Sequence, residues 1–235
     1  MRISNPLLLL AVVLACFGCH TNRTGPPEAS GFVALFPDEG APRGWVVRDW
    51  ADVKNPPEKP DTQWKVVNGI LQGSDPRGTW LVSEKEYGDF LLEFDWKLGE
   101  RGNSGCGLRF PGQGDPAFDG IELQMADFRY NTEAKDSELT GGLYRAIAPT
   151  VQVYKPTEWN HYQIRLQGPR MVVILNGKKI QDLNLDEQNQ IVKRHNGSTA
   201  PPIKDRPRRG HIGFQELSRG GSHVEIRNAR IKVLN

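Results

Sequence analysis

Alternating apolar and polar residues recur along most of the chain, in short stretches separated by turn residues. In GIELQMAD, Ile121, Leu123 and Met125 alternate with Glu122 and Gln124. A period of two is typical of a β-strand that buries one face. Because many such stretches follow one another and no long helical period is present, the pattern predicts an all-β chain built as a sandwich or jelly roll.

Turn chemistry supports the same interpretation. Asn68-Gly69 and Asn176-Gly177 each stand between two alternating stretches, where Asn-Gly favours a type I′ hairpin turn. Gly168-Pro169 separates two further strands. The predicted inward faces of four strands are Phe90, Leu92, Phe94 and Trp96; Cys106, Leu108 and Phe110; Tyr162, Ile164 and Leu166; and Ile212 and Phe214.

The opposite phase of these strands carries glycine, amide and charged residues. Its members are Asn103, Gly105, Gly107 and Arg109; Glu122 and Gln124, with Asp127 just beyond; His161, Gln163 and Arg165; and His211, Gly213 and Gln215. Glycine within a strand often marks the close approach of a ligand, and amide and guanidinium groups bind oxygen atoms. The face therefore predicts a concave site for a polyhydroxylated ligand. A solvated face, or one covered by loops where Arg109 and Glu122 only pair, remains the alternative.

Composition narrows the classes of function. The chain has 235 residues, a formal net charge of +2 and dispersed basic residues, which argues against nucleic acid as the partner. HExxH, P-loop and GxSxG motifs are absent, and the five histidines lack metal-ligand spacing. No metal or cofactor is predicted. Cys106, on an apolar phase, is expected to be a buried small hydrophobe.

The N-terminal sequence has the pattern of an export signal. Residues 1–19, MRISNPLLLLAVVLACFGC, combine one positive charge, a short apolar run and small residues before cysteine. This resembles a bacterial lipoprotein signal, with Cys19 as the expected lipidation site, Cys16 as the alternative, and an ordinary cleaved signal still open. Residues 20–30 predict a flexible tether, and residues 31–235 one domain. The expected location is the cell envelope, with membrane contact only through the N-terminal lipid.

Two segments without strand character are candidates for shaping a ligand cleft. They are residues 53–61, which are rich in proline, and residues 185–210, hereafter the long loop. An unstructured segment of that length is usually functional or mobile.

An ordered series of motifs resembles the 3-keto-disaccharide hydrolase family over residues 31–235. The motifs are GW at 44–45, WKVVNGIL at 64–71, YGDFLLEFDWKL at 87–98, GNSGCGLRF at 102–110, GIELQMAD at 120–127, TGGLY at 140–144, EWNHYQIRLQG at 158–168 with its LNGK hairpin, GHIGFQ at 210–215, and IRNARIKVL at 226–234. The resemblance implies a concanavalin A-like jelly-roll sandwich of two curved antiparallel sheets. It also implies cleavage of glycosides whose C3 hydroxyl has been oxidised to a ketone.

Such a substrate can be cleaved by base-assisted elimination or by net hydrolysis, because the ketone acidifies the proton at C2. We hypothesise Glu122 as the base, with Arg109 or His161 as donor to the enolate oxygen and Asp127 or Tyr144 as the acid. Substrate-binding candidates are Asn103, Gly105, Gly107, Gln124, Tyr144 and Gln215. A non-catalytic, lectin-like surface lipoprotein and a purely structural envelope protein are the alternatives.

Overall fold

Antiparallel strands dominate the regular structure of the described residues, 31–221 and 223–234 of a computed structural model. The strands are β1 (Val33–Ala34), β2 (Trp45–Asp49), β3 (Lys65–Val67), β4 (Ile70–Gln72), β5 (Thr79–Ser83), β6 (Phe90–Lys97), β7 (Asn103–Phe110), β8 (Ile121–Ala126), β9 (Asn160–Gln167), β10 (Arg170–Leu175), β11 (Lys178–Asn184), β12 (His211–Glu216) and β13 (Glu225–Val233). The short helix α1 (Pro116–Asp119) and three 3₁₀ turns, Asp136–Glu138, Leu185–Glu187 and Ile203–Asp205, complete the elements.

The strands form two sheets. The first sheet has the order β11-β10-β9-β6-β13-β4-β3, with β1 also paired to β13, and the second has the order β2-β5-β12-β7-β8. Strands distant in sequence are neighbours in both sheets, as in a jelly roll. The predicted all-β sandwich of two antiparallel sheets, with the concanavalin A-like jelly-roll fold, is confirmed.

The inner faces of the two sheets share one hydrophobic core. Phe94 of the first sheet and Phe214 of the second pack edge to face, with ring centroids 5.2 Å apart. Every second residue of β6 is fully buried, and Cys106 is buried in the same core. The inward phases predicted for Phe90–Trp96 and for Cys106 are therefore confirmed.

Asn-Gly turns join the predicted hairpins. Asn68 and Gly69, between β3 and β4, both have positive φ (52° and 73°), as do Asn176 and Gly177 between β10 and β11 (50° and 78°). Two consecutive positive φ angles define the type I′ turn, which asparagine and glycine tolerate better than other residues.

A β-bulge reverses the phase at the end of β7. Gly107 pairs with Gly213 and Phe110 with His211, so two residues of β7 oppose the single residue Ile212. Arg109, one of those two, has φ of 52°. An extra residue exchanges the faces of all that follow. The prediction that Phe110 points inward and Arg109 outward is therefore wrong.

Beyond the bulge, Phe110 lies on the outer face of the second sheet. It joins Trp80, Val82 and Val53 in a small outer apolar cluster. A Cβ at Gly107 would lie 2.8 Å from the Phe110 ring, and one at Gly213 would lie 3.1 Å from it. These glycines make room for Phe110. The expectation that Gly107 and Gly213 form open floor for a ligand is wrong.

The predicted signal (residues 1–19), the tether (20–30) and both lipidation candidates, Cys19 and Cys16, lie outside the described residues. They stay predictions. Within the residues that are described, no helix has the length and apolar character needed to cross a membrane.

Candidate functional site

A cleft of about 460 Å³ opens on the outer face of the second sheet, beside the outer apolar cluster. Its floor comes from three adjacent strands: Asn103 from β7, Glu122 and Gln124 from β8, and Gln215 from β12. All four side chains are buried. The register that pairs Gly105 with Gln124 aligns β7 and β8 so that these polar side chains share one face. The sequence predicted all four as site residues, and the structure brings them together.

Glu122 is the most unusual residue of the floor. It is 3% exposed, and its Oε1 atom has no hydrogen-bond partner. Gly105 provides the space for it, because a Cβ at position 105 would collide with the Glu122 carboxylate. Burial, reinforced by the nearby charge of Asp115, raises the pKa of Glu122 well above its usual value. A carboxyl group of this kind binds a proton tightly and is a strong base once it is ionised.

Asn103 provides a second unused acceptor. The side chain is 7% exposed and its Oδ1 atom is unpaired. The Gln124 Oε1 atom, by contrast, accepts a hydrogen bond from the Met125 backbone N–H at 3.1 Å. A buried unpaired acceptor costs free energy, so each needs a donor from water or a ligand. The floor of the cleft therefore consists of carboxyl and amide groups, whose donors and acceptors suit a ligand that carries hydroxyl groups.

Aromatic side chains form one wall of the cleft. The His195 ring from the long loop contacts the rings of Trp50, Phe118 and Tyr144, with centroids 5.6, 5.3 and 5.9 Å away. Burial, with the charge of Glu122 second, raises the pKa of Tyr144, so its hydroxyl stays protonated. Burial, with the charge of Arg145 second, lowers the pKa of His195 and favours the neutral imidazole at pH 7.

Tyr130 and Arg77 also line the cleft. The Arg77 guanidinium donates to the Tyr130 hydroxyl at 2.9 Å, and the Arg219 guanidinium lies 4.4 Å from the centroid of the Tyr130 ring. Two cations thus hold this ring in place.

The long loop is fixed against α1. Arg194 donates two hydrogen bonds to the Asp119 carboxylate, at 2.5 and 2.8 Å. The buried Arg206 donates to the carbonyl oxygens of Ala117 and Gly120 at 3.2 and 2.8 Å. These contacts place His195, which lies between the two arginines in sequence, at the cleft.

Arg109 does not belong to the cleft. Its side chain is fully buried and donates to the Gly88 and Gly168 carbonyl oxygens, at 2.7 and 2.9 Å, and to the Asp89 carboxylate at 2.8 Å. The β-bulge turns it away from the outer face. The prediction of Arg109 as an oxyanion donor is wrong, because all of its contacts are structural.

His161 lies on the other sheet. It belongs to β9, and its Nδ1 atom is 2.7 Å from the Asp95 carboxylate on the neighbouring β6. Strand phase separates inner from outer face, but it does not tell which sheet a strand joins. The prediction of His161 as a catalytic donor is therefore wrong.

Asp127 is close to the cleft but is not available as an acid. It lines a smaller adjoining hollow, and Arg129 donates to it at 2.7 and 2.8 Å. Burial would raise the pKa of Asp127, but the hydrogen bonds from Arg129 lower it. The Asp127 carboxylate is thus held by Arg129 and does not line the main cleft, which disfavours the prediction of Asp127 as the acid.

Several cleft residues were not predicted. Trp50, Arg77, Tyr130 and His195 come from loops, where no alternation marks a face. The two segments that the sequence predicted to shape a cleft, residues 53–61 and the long loop, supply Glu58 and His195. Among the described residues, no group of three or more His, Cys, Asp or Glu side chains is arranged to hold a metal ion.

Comparison with known proteins places this geometry in context. No curated protein matches the chain by sequence. A crystal structure described as a candidate glycosyl hydrolase from Parabacteroides distasonis is 26% identical, with a TM-score of 0.69 over 86% of this chain and 99% of that one. A second from the same organism is 25% identical, with a TM-score of 0.64 over 87% and 95%. LamAcat from Zobellia galactanivorans, at 14% identity and a TM-score of 0.51 over 86% and 98%, shares the fold alone.

A family model covers nearly the whole described region. The model, described as a 3-keto-alpha-glucoside-1,2-lyase-like domain, matches residues 31–232. This match agrees with the ordered motifs of the sequence and with the jelly-roll fold. The chain therefore belongs to the family of 3-keto-alpha-glucoside-1,2-lyase-like domains.

Proposed function

We propose that this protein cleaves 3-keto-glycosides by elimination in the cleft of the second sheet. The family and the two Parabacteroides distasonis structures support a carbohydrate-active function. The observation that carries the proposal is the Glu122 carboxyl group, which is buried, has no hydrogen bond at Oε1 and lines a cleft floored by amide side chains.

The ketone at C3 acidifies the proton at C2 and so allows elimination. Glu122 removes the proton from C2, and the electron pair of that C–H bond forms the enolate across C2 and C3. When the C3 carbonyl re-forms, a double bond develops between C1 and C2 and the bond from C1 to the glycosidic oxygen breaks. The leaving oxygen takes up a proton. Addition of water across the new double bond then gives net hydrolysis.

The two steps of proton transfer fit two residues of the cleft. A raised pKa makes ionised Glu122 a strong base, and burial leaves the carboxylate without competing hydrogen bonds. The Tyr144 hydroxyl, held protonated by its own raised pKa, donates to the leaving oxygen. Exchange with water then restores both groups to their starting states.

Hydrogen bonds to the enolate oxygen come from groups other than Arg109 and His161. The amides of Gln124 and Gln215 line the cleft, and the neutral imidazole of His195 has one N–H to donate. A neutral donor stabilises a developing oxyanion without holding the anion so tightly that it cannot collapse.

The test compares the full chain with two variants on a 3-keto-disaccharide and on its unoxidised parent. We expect the wild type to release free sugar from the keto substrate alone. Glu122→Gln should lower kcat at least about 100-fold, since a positioned base contributes that much or more. Glu84→Gln, which changes an exposed carboxylate outside the lining of the cleft, is the control and should retain activity.

Two outcomes would contradict the proposal in different ways. Full activity of Glu122→Gln would remove Glu122 as the base but keep the enzyme. Absence of cleavage by the wild type, together with calorimetric binding of the sugar, would instead support the lectin-like alternative.

A further inference from the structure

Tyr130 differs from the other tyrosines of the chain. The chain has five, all within the described residues. Burial raises the pKa of four of them, Tyr87, Tyr144, Tyr154 and Tyr162. Burial acts on the pKa of Tyr130 in the same direction. The Asn103 side chain and the charges of Arg77 and Arg219 outweigh it, however, and lower that pKa below the value of an ordinary tyrosine. Tyr130, which lines the cleft, therefore has the most acidic phenol of the chain.

The hydroxyl oxygen of Tyr130 accepts hydrogen bonds from two donors. The Arg77 guanidinium donates to it at 2.9 Å. The Asn103 side chain forms the second bond, and because its Oδ1 atom has no partner, its amide nitrogen is the donor. Guanidinium and amide N–H groups cannot accept a hydrogen bond. The proton of the Tyr130 hydroxyl is therefore left for an acceptor in the cleft, such as an oxygen atom of a ligand.

Two positive charges act on Tyr130 without a carboxylate partner of their own. The guanidinium carbons of Arg77 and Arg219 lie 5.9 and 4.4 Å from the centroid of the Tyr130 ring. In the part of the chain that the structure describes, neither guanidinium forms an ion pair with a carboxylate. Their charge is therefore not neutralised locally, and it stabilises a phenol oxygen that gains negative character.

The carboxylates around Tyr130 oppose these charges only weakly. Asp127 and Glu138 line the adjoining hollow together with Tyr130, and each accepts a hydrogen bond from an arginine. In the cleft, the raised pKa of Glu122 favours its neutral form. The other acidic residues that line the cleft are Asp49 and Glu58. All of these groups influence the Tyr130 hydroxyl less than the two arginines do.

The floor of the cleft fixes the spacing between Tyr130 and Glu122. The Glu122 carboxylate lies over Gly105, where a Cβ would collide with it. Asn103, which hydrogen-bonds the Tyr130 hydroxyl, is the next residue on the same face of β7, roughly 7 Å further along the strand. A path from a base through C2, C3 and the C3 oxygen to a hydrogen-bond donor also spans roughly 6–8 Å. The two side chains are thus spaced to act on neighbouring carbons of one sugar ring.

We propose that Tyr130 is a catalytic residue of the cleft, whose hydroxyl donates a hydrogen bond to the C3 oxygen of the keto sugar. The assignment rests on the proposed function for the reaction itself. As Glu122 takes the C2 proton, the electron pair of the C–H bond places negative charge on the C3 oxygen, and the hydrogen bond from Tyr130 strengthens. The O–H bond of Tyr130 stays intact, and the hydrogen bond weakens when the carbonyl re-forms. Arg77 is a positioning residue, because it acts through the Tyr130 hydroxyl.

A titration tests the acidity of Tyr130 without any turnover. The near-ultraviolet absorbance of tyrosinate is followed while the pH of a solution of the full chain is raised. We expect one tyrosine of the five to ionise below the ordinary tyrosine pKa of about 10, and we expect Tyr130→Phe to lose this early step. Arg77→Met should move the step to higher pH. Arg77→Lys, which keeps the charge, should move it less.

Kinetics on a 3-keto-disaccharide test the role of the hydroxyl. Tyr130→Phe keeps the ring and should lower kcat about 100-fold with KM within about threefold of the wild type, because the hydrogen bond is strongest when the oxyanion forms. In the wild type, kcat should fall as the pH rises through the pKa of Tyr130, because a phenolate has no proton to donate. Arg77→Met should shift this fall to higher pH, in step with the titration.

Two matched variants control for general effects of such substitutions. Tyr87→Phe removes a phenol hydroxyl outside the lining of the cleft, and Arg165→Met removes an exposed guanidinium of the first sheet. Both should retain the wild-type kcat and the early tyrosinate step. An early step that persists in Tyr130→Phe, or full activity of that variant, would overturn this assignment and leave the proposed function standing. Absence of cleavage by the wild type would overturn both.

Discussion

Glu122 combines a role in the proposed chemistry with an expected cost in stability. Its ionised form is buried without a hydrogen bond at Oε1, and burial raises its pKa well above the usual value. A carboxyl group with a raised pKa stabilises the fold fully below the pKa of the unfolded chain. That contribution is lost as the pH rises through the folded-state pKa. The folded protein is thus least stable when Glu122 is in the ionised form that the proposed reaction needs.

We therefore expect Glu122→Gln to be more stable than the wild type at pH 8 and similar to it at pH 4. Removal of an uncompensated buried charge is worth at least about 1 kcal/mol, or roughly 2–4 °C in Tm for a chain of this size. Thermal unfolding at the two pH values measures the difference. Glu58→Gln, which removes an exposed carboxylate, should change Tm little at either pH. A variant with lower Tm than the wild type at pH 8 would contradict this account.

Arg109 is a structural residue, although its type and strand position suggested a catalytic one. It is fully buried and joins two backbone carbonyls and Asp89 around the end of the sandwich. We expect Arg109→Met to destabilise the protein by about 3 kcal/mol, because it leaves a carboxylate and two carbonyls without their donor. The midpoint of urea unfolding measures this.

Arg170 provides the control for Arg109. It forms an ion pair with Asp182 at 2.8 Å, but its side chain is largely exposed. Arg170→Met should cost less than about 1 kcal/mol. Similar losses for the two variants would show that burial of the Arg109 network contributes little.

At the scale of elements, the long loop behaves as part of the cleft wall. The pair between Arg194 and Asp119 fixes it to α1, and His195 follows directly in sequence. Because the pair is partly exposed, we expect Arg194→Ala to cost only about 1 kcal/mol overall. Amide hydrogen exchange in residues 193–200 should nevertheless become about fivefold faster, because local opening needs less free energy.

Lys193→Ala is the matched control for this prediction. Lys193 is the exposed neighbour of Arg194, and its ammonium group donates only to the Thr199 hydroxyl at 2.9 Å within the described residues. Its loss should leave exchange in the loop within about twofold of the wild type. Equal exchange in Arg194→Ala and the wild type would mean that other contacts, such as those of Arg206, suffice to hold the loop.

The bulge in β7 shows where sequence pattern stops being informative about an element. Alternation located the strand and its inward residues Cys106 and Leu108 correctly. It failed for Arg109 and Phe110, because a single unpaired residue reverses the phase and leaves no mark in the composition. The positive φ of Arg109 is a property of the pairing with β12, which the linear pattern does not contain.

At the scale of the whole molecule, the family and the fold were predictable because they depend on many motifs at once. The floor of the cleft was predictable because Asn103, Glu122, Gln124 and Gln215 lie on regular strands. His161 was misplaced because its strand belongs to the other sheet, and sheet membership is decided by long-range pairing. The aromatic wall depends on loops whose course is fixed by tertiary contacts, such as that of Arg194 with Asp119.

Because Gly105 has no Cβ, the residue types at positions 105 and 122 should depend on each other across this family. Any side chain at 105 would collide with the Glu122 carboxylate, although the two residues are neither adjacent in sequence nor directly paired across the strands. An alignment of homologues should therefore show glycine at 105 wherever 122 holds a long acidic side chain. Larger residues at 105 should appear only with a short residue at 122. Frequent lineages with alanine at 105 and glutamate at 122 would contradict this expected covariation.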